Sequence, residues 1–424
     1  MRTAALTGRP FSGLFRRMSS RRVHAAAGPH PGGNSAGAGS FRTFCVLVFF
    51  NALVYISNAT FTPYITTYYK SRGITVAEIG ILTAIGPLVA LFLQPMWGIL
   101  ADRTGKHLWF LRVAAAGSML SVLFFYRAAS YPEFAAVMAL YSFFSIVIAP
   151  LGDAVAVGYV QEHGYRFSIV RMGGTVGYAI VVGIAGTYIN RNPSLSFGLT
   201  AAVFALVLLS TFAMPGGRRK EERPKDRSAI RKILRNKKVR FVFFYAFLFQ
   251  TALGFYSSFF SVFVVDQGYD NGTIGMLMCI SASSEIPVLL LIDRVMKRFR
   301  LESMLMFSGF LMVVRMLLPL VPGLFFLALS QMLGGLTYMV TYYCTVMFIN
   351  ENLGEKLRGT GMSLLCMVQT GLASLFSNIL GGCLGQAFGL RMTFLLYAAA
   401  LLAAMLLCVP FLRRSAALGE REEG

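Results

Sequence analysis

Twelve apolar runs of 18–28 residues follow one another between Phe41 and Leu412, separated by polar gaps. They fall at 41–65, 79–100, 109–127, 133–158, 168–189, 195–214, 240–263, 273–292, 302–319, 322–349, 360–384 and 389–412. A helix needs about 20 mostly apolar residues to cross a hydrocarbon layer of about 30 Å, so each run can span a bilayer. Twelve crossings take about 240 residues, and the 56% hydrophobic content of the 424 residues supplies nearly that many. Charged residues make up only 13%, about half the soluble norm. A soluble multidomain enzyme is excluded. The net charge of +21 does not mark a nucleic-acid binder, because Lys and Arg lie in the gaps between apolar runs, as in cytosolic loops of membrane proteins.

Composition divides the chain further. Residues 1–40 are rich in Gly, Ala, Ser, Arg and His, and the first acid of the chain is Glu78. Such a segment cannot bury enough apolar surface to fold and is expected to be a disordered basic tail. Its composition is shared with organelle transit peptides, and Met18 offers an alternative start, but it lacks the apolar stretch of a secretory signal. The one long polar gap, 215–239, carries with Arg240 twelve bases against Glu221, Glu222 and Asp226. It is read as a linker between two six-helix halves, 41–214 and 240–412, with 413–424 as a second polar tail. Of the 39 Lys and Arg residues, thirty-three fall on one side of the alternating loops and five on the other, with Arg315 inside a run. The asymmetry predicts that both termini are cytosolic in a plasma (inner) membrane.

Two loops echo each other. Gly98-Ile-Leu-Ala-Asp102-Arg103-Thr-Gly105-Lys106 follows the second run, and Ile292-Asp293-Arg294-Val-Met-Lys297-Arg298 follows the eighth. The first resembles the signature loop of the major facilitator superfamily, G-x-x-x-D-R-x-G-R/K. The resemblance implies an all-α polytopic membrane protein with twelve transmembrane helices in two six-helix halves, the major facilitator fold. It also implies that Gly98, Asp102, Arg103, Gly105, Lys106 and Asp293 belong to a gating loop whose charge pairs break as the halves rock. Phe92-Leu-Gln94-Pro95-Met-Trp97-Gly98 and Arg171-Met-Gly173-Gly174-Thr-Val-Gly177-Tyr178 narrow the resemblance to lactose permease and its relatives, the oligosaccharide, nucleoside and phenylpropionate proton symporters. In that group an acid 18 residues before the arginine and an aromatic seven after it contact the sugar. Asp153 and Tyr178 hold those places. Glu285-Ile-Pro287 and Arg315 continue the resemblance into the second half. The relatives' histidine in a Gln-x-Leu-His context of the tenth run is Gly334 here, and a second acid in that turn is Thr337.

Residue counting supports two charge pairs without the family. Asp153 and Arg171 lie nine residues on either side of a turn near residue 162, and Glu285 and Arg315 fifteen on either side of a turn near 300. At 1.5 Å per residue, each pair is level in the membrane. Charges at such depth usually pair or face water; these pairs either hold a solute or fix helix packing. Asn51 and Asn58, seven apart on one helical face, either line a cavity or bond to neighbouring helices. Gln250, Tyr256 and Gln369 are similar candidates. The expected substrate contacts are Asp153, Arg171, Tyr178 and Asn51. Proton coupling is assigned to Glu285 with Arg315, the charge of Glu285 following its distance from the guanidinium.

The expected function is secondary active uptake of a small polar organic solute with protons, a sugar, oligosaccharide or nucleoside ahead of an aromatic acid held by an arginine. Alternatives are efflux of amphipathic drugs and a non-transporting membrane receptor or scaffold. No GxxxxGK[ST] loop or HExxH helix is present, which argues against direct ATP drive and zinc-peptidase chemistry. The expected partners are solute, protons and lipid, in a functional monomer without cofactor or metal. The six cysteines form no CxxC pair and are read as small core hydrophobes.

Overall fold

The computed structural model describes residues 35–216, 229–296 and 298–422. Contacts divide the chain into Met1–Phe41 and Arg42–Gly424, and the architecture below is that of the second unit. Of the first, residues from Ser35 are already helical, a correction to the expected disorder up to residue 40; residues 1–34 lie outside the described part.

Among the described residues, eleven helices are long and apolar enough to cross a membrane. With the shorter Leu195–Ser210 they make twelve: α1 Ser40–Ser71, α2 Val76–Thr104, α3 His107–Tyr126, α4 Tyr131–His163, α5 Phe167–Arg191, α6 Leu195–Ser210, α7 Lys237–Asp266, α8 Asn271–Ile292, α9 Leu301–Leu320, α10 Leu324–Asn352, α11 Leu357–Phe388 and α12 Leu390–Leu407. This is the twelve-helix, two-half architecture that the sequence predicts. Short loops make successive helices antiparallel, so their ends collect at two faces. One carries the tight turns at 72–75, 192–194 and 267–270 (the turn face), the other residues 105–106, 164–166 and the linker (the linker face).

Most helices extend beyond the apolar runs because capping residues, not hydropathy, set their ends. Thr75 and Glu78 form a reciprocal capping box that starts α2, and Ser130 with Glu133 does the same for α4. Asn236 Oδ1 accepts from the amides of Lys238 and Val239 at 3.0 and 3.4 Å to start α7. A side-chain oxygen satisfying these otherwise unpaired N–H groups stabilises a helix by about 1 kcal/mol. The linker is not wholly irregular, since Ala229–Arg235 is helical. The last helix runs on to Glu422, so the polar tail begins as a continuation of that helix.

Three helices depart from regular geometry beside the molecular centre. α4 is interrupted at Ile146–Val147, α10 at Leu333 and α11 by a π-helical turn at Met367–Ala373. Such breaks free backbone groups, which a membrane helix tolerates only where protein or a cavity supplies partners. α1 and α7 are the most buried of these helices, the innermost of the two halves. Rings fill each half, with Tyr69, Phe125, Phe134 and Phe197 in the first and Phe249, Phe255, Phe259 and Phe394 in the second. The cysteine reading is corrected: Cys344 is buried, but Cys45, Cys366 and Cys383 are exposed and Cys279 half-buried. A thiol is apolar enough to face hydrocarbon, so it does not need the core. The side chain of Cys408 lies outside the described part.

Candidate functional site

A central cavity of about 590 Å³ is lined by both halves. α1 contributes Tyr55, Asn58 and Thr66, and α5 contributes Thr175 and Tyr178. From the second half come Gln250 and Tyr256 on α7, Glu285 on α8, Arg315 on α9 and Gln331 and Tyr338 on α10. The volume lies within the range of about 300–1,000 Å³ typical of small-molecule sites. The lining is mostly apolar, with Ile65, Met138, Leu253 and Met278 among it, and sets hydroxyls, amides and aromatic rings around one carboxylate and one guanidinium.

Those two charges do not form the expected direct pair. Arg315, 5% exposed, donates from Nη1 to Thr337 Oγ1 at 2.9 Å and from Nη2 to Gln331 Oε1 at 3.3 Å. Its guanidinium lies 4.4 Å from the centre of the Tyr256 ring, a cation–π contact. Gln331 Nε2 in turn donates to Tyr256 Oη at 3.1 Å, and Tyr256 Oη shares a 2.9 Å bond with Ser330. Arg315 Nε is buried without a partner. Thus Glu285 and Arg315 face one cavity, but the arginine is held by α7 and α10.

Gly334 and Gly335 directly follow the break in α10. A Cβ on Gly334 would stand 2.6 Å from Ser281 Oγ and 3.4 Å from Arg315 Nη2. A Cβ on Gly335 would strike the Ser284 carbonyl, and the Gly335 amide donates to Ser284 Oγ at 2.8 Å. α8 and α10 approach most closely at Gly335, where the neighbour is backbone, while at Gly334 the neighbours are side-chain ends.

The second charge pair lies toward the linker face and outside the residues that line the cavity. Arg171 Nη1 is 3.7 Å from Asp153 Oδ2, with side chains 43% and 28% exposed. Asn51 Nδ2 donates to Asp153 Oδ1 at 3.1 Å, and the Arg171 guanidinium stands 5.5 Å from the Tyr55 ring centre. Asn51 is buried, gives its Nδ2 to Asp153 and keeps Oδ1 without a partner. Tyr55 joins the two regions, because its ring also lines the cavity. Asn58 Nδ2 donates to the Val54 carbonyl at 3.1 Å while lining the cavity.

The turn face is closed by contacts between the halves. A Cβ on Gly186 would come within 2.6 Å of the Asn271 carbonyl, and one on Gly275 within 2.6 Å of the Val182 carbonyl. Gly80 and Gly382 cross α2 and α11 in the same way. Polar bonds seal the crossings: Asn190 Nδ2 to Asp270 Oδ2 at 2.9 Å, Thr67 Oγ1 to Asn271 Oδ1 at 3.1 Å and Asn378 Nδ2 to the Thr83 carbonyl at 3.1 Å. Lys70 pairs with Asp266. Asp270 also accepts from the Thr273 amide and hydroxyl, and these bonds hold its carboxyl below the usual range because they favour the charged form.

At the linker face, Gly105 (φ 67°) ends α2, its amide donating to the Ala101 carbonyl at 2.9 Å. Only glycine adopts this left-handed geometry at little cost. The tight turn brings His107 back onto Asp102, Nε2 to Oδ1 2.9 Å. His107 is buried with Nδ1 unpartnered. Arg103 and Lys106 are exposed, and a Cβ on Gly98 would meet nothing within 4 Å. The side chain of Asp293 lies outside the described part. Sequence reasoning missed His107, Gln331 and the glycine crossings. The spacing Asp102-x-x-Gly105-x-His107 was the available signal for the first; nothing local marks the others. Among the described residues, no group of three or more His, Cys, Asp or Glu side chains is placed to hold a metal.

The family model described as "MFS_1 like family" matches residues 44–396. The chain belongs to this family. It is a major facilitator superfamily transporter. Maltose permease of Geobacillus stearothermophilus is 24% identical over 399 residues, covering 91% of this chain and 98% of that one. The uncharacterized transporter YwbF of Bacillus subtilis (strain 168) is 23% identical over 364 residues, covering 84% and 90%. The crystal structure of the nucleoside transporter NupG superposes with a TM-score of 0.77 at 16% identity, covering 87% and 98%. That likeness establishes the shared fold, and the MFS_1-like match extends over the cavity, both charge clusters and the Gly98–Lys106 loop.

Proposed function

We propose that this transporter takes up a neutral, polyhydroxylated solute (a sugar, oligosaccharide or nucleoside) together with protons, by alternating access between 41–214 and 240–412. The supporting observation is the cavity itself. One carboxylate and one guanidinium face it without pairing to each other, among hydroxyls, amides and the rings of Tyr55, Tyr178, Tyr256 and Tyr338. Hydroxyls and amides exchange hydrogen bonds with a polyol, and rings stack on the apolar faces of sugars and bases. The names of maltose permease and NupG agree with this chemistry.

The coupling assignment places the proton on Glu285, with Asp153 and Arg171 engaging the solute as the halves rock. The present state is closed at the turn face, so the solute exchanges through the linker face. With the charge asymmetry of the loops, the linker face and both termini are assigned to the cytosol of a plasma membrane. The protein is assigned as a functional monomer with no cofactor.

A second reading is favoured by one feature. Arg315 keeps Nε unpartnered and rests on a ring, which suits the carboxylate of an aromatic acid. Vesicle uptake with labelled sugars, nucleosides and aromatic acids, with and without a proton gradient, tests both. The proposal expects a neutral solute to accumulate only with the gradient. Accumulation of aromatic acids alone would favour the second reading, and expulsion of amphipathic drugs would favour efflux.

A further inference from the structure

The helix Ala229–Arg235, ahead of α7, has an apolar arc that is only partly covered. Ile233 is fully buried against Val239, Phe243 and Ala246 of α7, Ile349 at the end of α10, and Leu365 of α11. Ile230 and Leu234, four residues apart on the neighbouring stripe, are 48% and 45% exposed. At about 100° per residue, these three span one arc, and Arg231, Lys232 and Arg235 occupy the opposite one. All three bases are exposed. Lys238 belongs to a different groove, shared with Glu302 and Glu351. No acid occurs between Ser228 and Val265.

We propose that this helix is a docking surface for anionic phospholipid of the linker-face leaflet, with Ile230 and Leu234 among the acyl chains and Arg231 and Arg235 on the phosphates. An amphipathic helix with bases opposite an apolar stripe lies in the plane of a bilayer interface. The preceding stretch 217–228 carries no Leu, Ile, Val, Met or aromatic residue that would compete for the stripe. The position matches as well, since α7 begins two residues later and Asn236 Nδ2 donates to the Asn352 carbonyl at the end of α10 at 3.2 Å. Because Ile233 seats on α7, α10 and α11, bound lipid would hold together the linker-face ends of the helices that must move when the cavity changes sides. The inference requires neither the solute nor the coupling ion to be known.

The test is lipid titration of the purified full chain in detergent, with bound phosphatidylglycerol and phosphatidylcholine counted by native mass spectrometry. A base at an anionic surface contributes about a fivefold factor in affinity. Arg231→Gln/Arg235→Gln is therefore expected to weaken phosphatidylglycerol binding by about thirtyfold and leave phosphatidylcholine binding unchanged. Ile230→Ser/Leu234→Ser is expected to weaken both lipids. A thermal melt of each variant matching the wild type excludes misfolding, since all four side chains are exposed. Equal wild-type affinity for the two lipids, or an unchanged phosphatidylglycerol affinity in the arginine variant, would overturn the proposal. So would full displacement of phosphatidylglycerol by millimolar inorganic phosphate, which would mark a free-anion site.

Discussion

Gly275→Ala loads the closed turn face and nothing else. The new Cβ would stand 2.6 Å from the Val182 carbonyl, 2.8 Å from Tyr64 Oη and 3.2 Å from Gly186 Cα. Two of the three are backbone atoms, and Tyr64 is held by its own 2.7 Å bond to the Val182 carbonyl. Relief therefore requires α5 and α8 to separate. Overpacking of this kind costs about 1–3 kcal/mol. The cost falls only on the state in which the two glycines cross, so the equilibrium shifts toward the turn-face-open state by about 5–150-fold. Thr66→Cys, in the cavity wall, reports the shift through its labelling by an impermeant maleimide added from the turn face and followed by peptide mass. Labelling is expected to accelerate by that factor in Gly275→Ala. It should stay unchanged in Gly158→Ala, where the added Cβ meets nothing within 4 Å. Equal labelling of Gly275→Ala and wild type, with matching melts, would refute the assignment of the crossing as the closed gate.

Three further outcomes follow from the same geometry. Arg171→Ala and Asp153→Ala should each abolish solute binding and cost about 1–2 kcal/mol in a melt, less than the 3–5 of a fully buried pair, because solvent screens this one; recovered binding in the double variant would identify a packing pair. Asp102→Asn should slow transport while leaving equilibrium binding within a few-fold, since the His107 contact steers closure rather than solute; normal transport would contradict the gating role. Asp270, held below its usual value of 3.8, stabilises the turn face above that value and loses the contribution as pH falls through its lower folded value. Turn-face labelling of Thr66→Cys should therefore rise at the acid end and flatten in Asp270→Asn; an identical pH profile in the variant would remove Asp270 from the gate.

Hydropathy made all twelve helices legible, because every backbone polar group in a bilayer must be paired within a helix, and apolar length alone marks the crossing. It could not place the ends. Thr75, Ser130 and Asn236 fix the N-termini by capping, so polar residues such as Glu78, Lys237 and Lys238 fall inside helices. Depth was legible too: counting outward from one turn brings Asp153 level with Arg171, and they meet at 3.7 Å. The same count for Glu285 and Arg315 gives depth but not direction around the helix, and Arg315 turns to α10. Thr337, which stands where a relative has an acid, became the guanidinium's closest partner. The glycine crossings were not legible, because they join residues 89 and 302 positions apart through bare backbone, which leaves no pattern in either local stretch.

The central claim is that the unpaired carboxylate in the cavity couples solute to protons. The direct measurement is solute-driven alkalinisation of the medium, in cells or vesicles containing wild type or Glu285→Gln. Wild type is expected to move protons inward with solute. Glu285→Gln is expected to keep solute exchange at equal concentrations while losing both the pH change and uphill accumulation. No proton movement in wild type, or accumulation against a gradient by Glu285→Gln, would contradict it.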